Sequence, residues 1–116
     1  MNFLLVALGG AIGSVLRYAI ALLSIAQFGV AFPWGTLAVN ILGSAAIGLA
    51  AALGVQGEMR LLLVTGVLGG FTTFSAFSLE TGFLFERNPW IAAAYVAASV
   101  VLGLAAFALT YGLLRR

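Results

Sequence analysis

The sequence contains no cysteine and no histidine, and neither lysine nor aspartate occurs among its 116 residues. Disulfides, thiolate metal sites and cysteine nucleophiles are therefore excluded, and a Ser-His-Asp triad cannot be built. Most arrangements that support enzymatic catalysis are lost with these residue types. We therefore expect a protein that is not an enzyme.

Charge is also scarce, because charged residues make up only 7% of the chain, against about 25% in an ordinary soluble domain. Five arginines and three glutamates give a net charge of +2. They form no basic patch with interleaved aromatic residues, so nucleic-acid binding is not expected. Hydrophobic residues make up 64% of the chain, which is more apolar surface than a soluble fold of this size can bury. This composition predicts an integral membrane protein.

Four apolar stretches are long enough to cross a hydrocarbon core of about 30 Å as helices, which takes roughly 20 residues each. We place these spans at about residues 3–26, 33–55, 59–85 and 89–114. The connecting segments are short, so consecutive helices are expected to be antiparallel neighbours. The sequence therefore predicts an all-α membrane protein with four transmembrane helices in a single domain, residues 1–116.

The arginines give only a weak preference for one orientation in the membrane. With four spans, both termini lie on the same side as the second loop, and that side carries Arg60, Arg115 and Arg116. The opposite side carries Arg87, with Arg17 most of the way across the first span. Orientation follows the excess of arginine and lysine in short loops, so this small difference predicts insertion in both directions. A unique orientation set by the three arginines is the alternative.

The third span contains a run of residues that form helices poorly. Residues 69–75 read GGFTTFS, and adjacent glycines with two β-branched threonines disfavour a helix. Irregular backbone at membrane depth must be buried in protein or line a polar cavity. Broken membrane helices often form ion or substrate sites in which carbonyls hold cations. We predict that the third helix is broken at mid-membrane, with a continuous, closely packed helix as the alternative.

Polar side chains follow one another along the second and fourth spans. Asn40 is the only amide inside a span, and Thr36 precedes it by one turn; Tyr95 and Ser99 form a similar stripe on the fourth span. N–H and O–H donors favour an anion over a cation. The alternative role is hydrogen bonding between helices, worth about 0.6–2 kcal/mol.

Phenylalanines recur at every third position through the polar run, as Phe71, Phe74 and Phe77. The edge of an aromatic ring carries a partial positive charge and its face a partial negative one. Ring edges can therefore contact an anion without supplying a full charge. Ordinary core or lipid-facing phenylalanines are the alternative interpretation.

Arg17 and Glu80 are charged residues inside spans. A charge at a helix centre costs roughly 2.5–3.5 kcal/mol on insertion scales, so each needs a partner or water. The two could pair within or between subunits. Arg17 could instead extend to the membrane interface, and Glu80 could lie in a water-filled vestibule.

Three motifs, in order on separate spans, resemble the CrcB (Fluc) family of fluoride channels, and the resemblance extends from end to end. They are GGxxGxxxRY from Gly9, GTLxVNxxG from Gly35 and GxxGGFTTFSxFS from Gly66. Two positions depart from the family pattern. Ala76 stands where the family often has threonine, and Gly103 stands where a serine is expected on the fourth-span polar stripe.

The resemblance implies a passive fluoride-selective channel that exports fluoride and reduces its toxicity. It implies a multi-pass protein of a bacterial-type inner (plasma) membrane that forms an antiparallel, dual-topology homodimer. It implies a structural sodium ion on the dimer axis, held by the backbone carbonyls of Gly69 and Thr72 from each subunit. Arg17 and Glu80 would lie near the site. The implied fluoride pathway consists of Asn40, Phe74, Phe77, Ser75, Thr36, Tyr95 and Ser99.

A small multidrug-type, proton-coupled exporter is the alternative function, since such transporters share the four spans, the dual topology and about this length. They need a glutamate in the first span to exchange protons for cations. Here the first span contains Arg17 and no acidic residue. A membrane subunit that transports nothing is a further alternative.

Overall fold

The computed structural model describes residues 1–115, and this part of the chain is helical with no β-strand. Four helical stretches are long and apolar enough to cross a membrane. Three are single helices: α1 (Asn2–Phe28), α2 (Trp34–Ala52) and α6 (Pro89–Leu114). The all-α fold with four candidate spans is thus confirmed. Arg116, which entered the comparison of loop charges, lies outside the described residues.

The ends of these helices follow from local chemistry. α1 is capped by Gly29, whose positive φ of 77° is readily adopted only without a Cβ, and whose N–H bonds to the Ile25 carbonyl. α6 begins with Pro89 in its first turn, where a missing N–H costs nothing. The Asn88 side chain accepts a hydrogen bond from the Trp90 N–H at 3.0 Å, which caps this helix.

The third stretch, Gly57–Arg87, consists of several segments. α3 (Gly57–Arg60) leads into a π-helix (Leu61–Leu68), which is followed by α4 (Gly69–Phe71) and, after residues 72–74, by α5 (Ser75–Arg87). Residues 72–74, which we call the turn, lie outside any helix, and Thr72 has extended backbone with φ −83° and ψ 157°.

The most extensive packing joins the first span to the third and the second span to the fourth. α1 packs chiefly against the π-helix and α4, and α2 packs chiefly against α6. The consecutive pairs α1–α2 and α5–α6 also touch, but less extensively. Spans joined by short loops alternate in direction, so each main pair runs the same way through the membrane.

Glycines allow α1 to approach the third stretch at backbone distance. A Cβ on Gly66 would lie 2.8 Å from the Gly9 Cα, and one on Gly70 would lie 2.6 Å from the Gly10 carbonyl oxygen. Such contacts let dispersion forces hold helices together in lipid, where the hydrophobic effect between helices is absent. They also place the turn beside the middle of α1.

A small buried core joins α2, α5 and α6 beside the turn. It consists of Leu37, Leu84, Ala92 and Tyr95, and Tyr95 is 0% exposed. Phe77 packs against this core and is half-buried. The outer faces of the helices instead present large apolar side chains, as expected of a surface that lipid covers.

Candidate functional site

Asn40 of α2 bonds to the backbone of Thr73 in the turn through both polar atoms of its amide. Its Nδ2 donates to the Thr73 carbonyl at 3.2 Å, and the Thr73 N–H donates to its Oδ1 at 3.1 Å. In an uninterrupted helix the Thr73 N–H would bond to the Gly69 carbonyl, four residues earlier. The side chain of Asn40 thus takes the place of a helical partner and fixes the turn to α2.

The hydroxyl of Thr73 has a similar effect on the start of α5. The Ala76 N–H donates to Thr73 Oγ1 at 3.1 Å, and Ser75 Oγ lies 3.3 Å from the same oxygen. In an uninterrupted helix the Ala76 N–H would bond to the Thr72 carbonyl. Threonine hydroxyls commonly satisfy exposed N–H groups in this way at helix starts.

Other carbonyls around the turn have donors. The Leu68 carbonyl accepts from both the N–H of Thr72, at 2.9 Å, and its Oγ1, at 2.8 Å. Arg17 Nε donates to the Gly70 carbonyl at 3.1 Å. Within residues 1–115, the Arg17 side chain therefore bonds to a backbone carbonyl of α4, next to the turn.

Gly69 and Thr72, the residues implied as sodium ligands, are the two whose usual helical donors bond elsewhere. The N–H of Thr73 goes to Asn40, and the N–H of Ala76 goes to the Thr73 hydroxyl. Carbonyl oxygens in unwound membrane helices are suitable ligands for sodium. The donor set therefore fits the ion on chemical grounds.

Aromatic rings run from the turn into the core. Phe74 is 79% exposed, and its ring centroid lies 5.7 Å from that of Phe77. The Phe77 ring lies 5.2 Å from the buried ring of Tyr95. Phe71, the first ring of the sequence pattern, is instead buried on the other side of the turn, next to Gly43.

Three buried polar atoms lie further inside without a hydrogen-bond partner among residues 1–115: Glu80 Oε1, Tyr95 OH and Ser99 Oγ. Glu80 lies beside Thr36 and Tyr95. Burying polar atoms without partners is costly. A water molecule or an ion is therefore the natural complement of these atoms.

Two cavities are lined by some of the predicted site residues. The first, the Asn40 groove, has a volume of about 380 Å³ and contains Asn40, Gly69, Thr72 and Phe74 among its lining. The second, the Glu80 cavity, has a volume of about 390 Å³ and contains Thr36 and Glu80. Phe77 is absent from both linings and, with Tyr95, packs into the core between α2, α5 and α6.

Sequence reasoning missed the parts played by Thr73 and Arg87. Thr73 supplies three of the hydrogen-bonding groups at the turn, and a threonine shortly before a helix start is a typical capping signal. Arg87 lines the Glu80 cavity and donates from Nη2 to the Ala31 carbonyl at 2.9 Å. No local sequence pattern indicates that second contact.

The fold and the site together define a membrane protein with four candidate spans and a turn in the third stretch whose backbone is bonded by polar side chains. A family model described as "CrcB-like protein, Camphor Resistance (CrcB)" matches residues 4–111. The chain belongs to this family, and the resemblance found in its three motifs is thereby confirmed.

Named relatives cover nearly the whole chain. A protein of Agrobacterium fabrum named "Fluoride-specific ion channel FluC" is 56% identical over 112 residues, which is 91% of this chain and 90% of the relative. A protein of the same name from Rhizobium etli is 57% identical over 108 residues, covering 88% and 86% of the two chains. A third, from Rhizobium meliloti, is 50% identical over 111 residues, covering 90% and 89%.

Proposed function

We propose that this protein is a passive fluoride-selective channel that carries fluoride out of the cell. The observation that carries the proposal is the 56% identity, over 91% of the chain, to a protein named as a fluoride-specific ion channel. The chain is not an enzyme, since the relatives that match most of its length are named as ion channels.

Fluoride is small and holds its water tightly, so a pore must replace that water with donors that do not trap the ion. Conduction requires binding that is weak enough, or spread over enough sites, for release. The Asn40 amide carries two N–H groups, and one of them bonds to Thr73. The other is directed at the anion in our proposal, with the ring edges of Phe74 and Phe77 as further contacts.

The pathway we propose leads from the Asn40 groove to the Glu80 cavity. It passes the Phe74 and Phe77 rings and then the buried hydroxyl of Tyr95, which has no protein partner among residues 1–115. Hydroxyl donors suit an anion that has lost part of its water. The remaining pathway residues are Ser75 at the start of α5, Ser99 on α6 and Thr36 in the Glu80 cavity.

The functional unit in this proposal is an antiparallel homodimer, with both orientations present in the membrane. The Asn40 groove is open along one side, and Phe74 at its edge is 79% exposed. A second copy of the chain would cover this ring and complete the groove. The weak arginine bias also supports the proposal, because a dimer of opposite orientations requires a chain that inserts both ways.

The third span is broken at mid-membrane in this proposal, and the break has a structural purpose. The carbonyls of Gly69 and Thr72 would hold a sodium ion on the dimer axis. When bound, that ion supplies positive charge among converging carbonyl dipoles. Hydrogen bonds of the Asn40, Thr73 and Arg17 side chains with the surrounding backbone keep these carbonyls in position.

Purified protein in liposomes loaded with potassium fluoride tests the function. We expect fluoride release that excludes chloride when a potassium ionophore balances the charge. Phe74→Ile and Phe77→Ile remove the ring edges and should lower the rate at least about tenfold. Phe85→Ile is the matched control, since Phe85 lies on α5, as Phe77 does, and is exposed but lines neither cavity.

Absence of fluoride release from the wild-type protein would reject the channel. Release that Phe74→Ile and Phe77→Ile leave unchanged would reject the pathway assignment. Proton-coupled cation uptake in place of fluoride release would support a small multidrug-type exporter, for which the first span lacks the necessary acidic residue.

A further inference from the structure

Two backbone carbonyls in or next to the turn, those of Gly69 and Thr72, lose their helical donors to two particular side chains. In a continuous helix the N–H of Thr73 would bond to the Gly69 carbonyl, and that of Ala76 to the Thr72 carbonyl. In the structure the first donates to Asn40 Oδ1 at 3.1 Å and the second to Thr73 Oγ1, also at 3.1 Å. Both N–H groups thus bond to side-chain oxygens and not to main-chain carbonyls.

Three other carbonyls around the turn have donors. The Leu68 carbonyl accepts twice from Thr72, the Gly70 carbonyl accepts from Arg17, and the Thr73 carbonyl accepts from Asn40. Here side chains supply donors to three carbonyls and divert the helical donors of two others.

We propose that Asn40 and Thr73 are positioning residues that select the ligands of a hard monovalent cation. By accepting the two N–H groups, their side chains keep the Gly69 and Thr72 carbonyls available to the cation. This inference rests on the proposed function, in which these carbonyls hold sodium, and it adds the cause of their availability. It assigns Asn40 a second role, since its oxygen serves the cation while its remaining N–H serves the anion.

Thr73 separates the two roles experimentally, because its hydroxyl is not among the proposed fluoride contacts. Valine has nearly the shape of threonine but offers no acceptor to the Ala76 N–H. In Thr73→Val that N–H is expected to return to the Thr72 carbonyl and compete with the cation. Thr73→Ser keeps the acceptor.

The experiment measures thermal unfolding of the full chain in detergent without fluoride, as sodium chloride replaces choline chloride at constant ionic strength. A cation that binds only the folded protein raises Tm with its concentration. We expect half-maximal stabilisation of Thr73→Val to need about tenfold more sodium than wild type, or stabilisation to be lost. Thr73→Ser should stay within about twofold of wild type.

Thr81→Val is the matched control. The Thr81 hydroxyl donates to the Phe77 carbonyl at 2.7 Å, four residues earlier, without diverting a backbone N–H in the structure. Its loss should change Tm equally at every sodium concentration and leave the sodium midpoint unaltered. A sodium midpoint that shifts equally in Thr81→Val and Thr73→Val would overturn the proposal.

Fluoride efflux measured on the same preparations distinguishes this inference from the proposed function. If the wild-type protein releases fluoride and the sodium midpoint of Thr73→Val is unchanged, the inference is rejected and the proposed channel function is retained. A sodium shift in Thr73→Val without wild-type efflux supports the inference and rejects the channel. A wild-type protein that sodium stabilises no more than choline does overturns the inference. Should Thr73→Val fail to fold, loss of the sodium effect in Thr73→Ser would equally contradict it.

Discussion

Replacing Gly13 with alanine tests the packing that holds α1 against the turn. An added Cβ would lie 2.7 Å from the Phe71 nitrogen and 2.9 Å from the Val67 carbonyl carbon, and closer still to the Val67 oxygen. All are backbone atoms, so no side chain can move aside. Restoring an ordinary contact of 3.4 Å requires α1 to retreat by about 0.7 Å or more. One turn further along, the 3.1 Å bond from Arg17 to Gly70 would then exceed hydrogen-bond distance.

Overpacking of this kind costs about 1–3 kcal/mol, and loss of the Arg17 bond adds to it because the guanidinium is left with fewer partners. The assay is reversible unfolding in mixed detergent micelles. Gly10→Ala is the control, since Gly10 lies on the same helix and an added Cβ there meets nothing within 4 Å. If Gly13→Ala proved as stable as Gly10→Ala, the close packing described here would be wrong.

Three further predictions concern the core and the Glu80 cavity. Tyr95→Phe removes a buried hydroxyl without a protein partner among residues 1–115, so Tm should stay constant or rise while fluoride efflux in liposomes falls. Tyr111→Phe is the control and should alter neither quantity. A large loss of stability in Tyr95→Phe would contradict the site. Leu84→Ala empties a position that is 3% exposed and should lower the free energy of unfolding by about 1–3 kcal/mol, less than in a soluble core because lipid, not water, is the solvent. Equal stability of Leu84→Ala and wild type would argue against this core. Arg87 lines the Glu80 cavity, and its positive charge should attract fluoride over a distance. Arg87→Gln should therefore reduce efflux in low salt but not in high salt, where ions screen this attraction. A reduction that is the same at every salt concentration would refute this role of Arg87.

The four spans could be predicted because long apolar runs have few alternatives in a short chain, and the helix starts at Pro89 and after Pro33 follow from proline chemistry. The packing could not be predicted in the same way. Nearly every face of these helices is apolar, so hydrophobic periodicity does not fix their rotation or their partners. We expected consecutive spans to be neighbours, whereas the main contacts join the first span to the third and the second to the fourth.

The same limit applies to the site. The run at residues 69–75 was recognisable from helix propensity alone, and Asn40 from the cost of an amide in lipid. The two features are connected by hydrogen bonds between Asn40 and Thr73, 33 positions further along the chain. A further hydrogen bond links Arg17 to Gly70, 53 positions further along. Such pairs depend on the depth and rotation of packed helices. The homodimer and the opposite orientations of its subunits stay predictions, and the thermal unfolding in sodium chloride tests the ion.

The pairing of α1 with the third stretch also determines the order in which the chain can assemble during synthesis. The backbone atoms nearest to a Cβ placed on Gly9 or Gly13 belong to residues 62–71, which leave the ribosome after α2 has been made. Until then the glycine face of α1 is covered by lipid or by another protein. A nascent chain that stops before residue 62 therefore contains two inserted helices but neither of the main helix pairs. Stable packing is postponed until the turn itself has been synthesised.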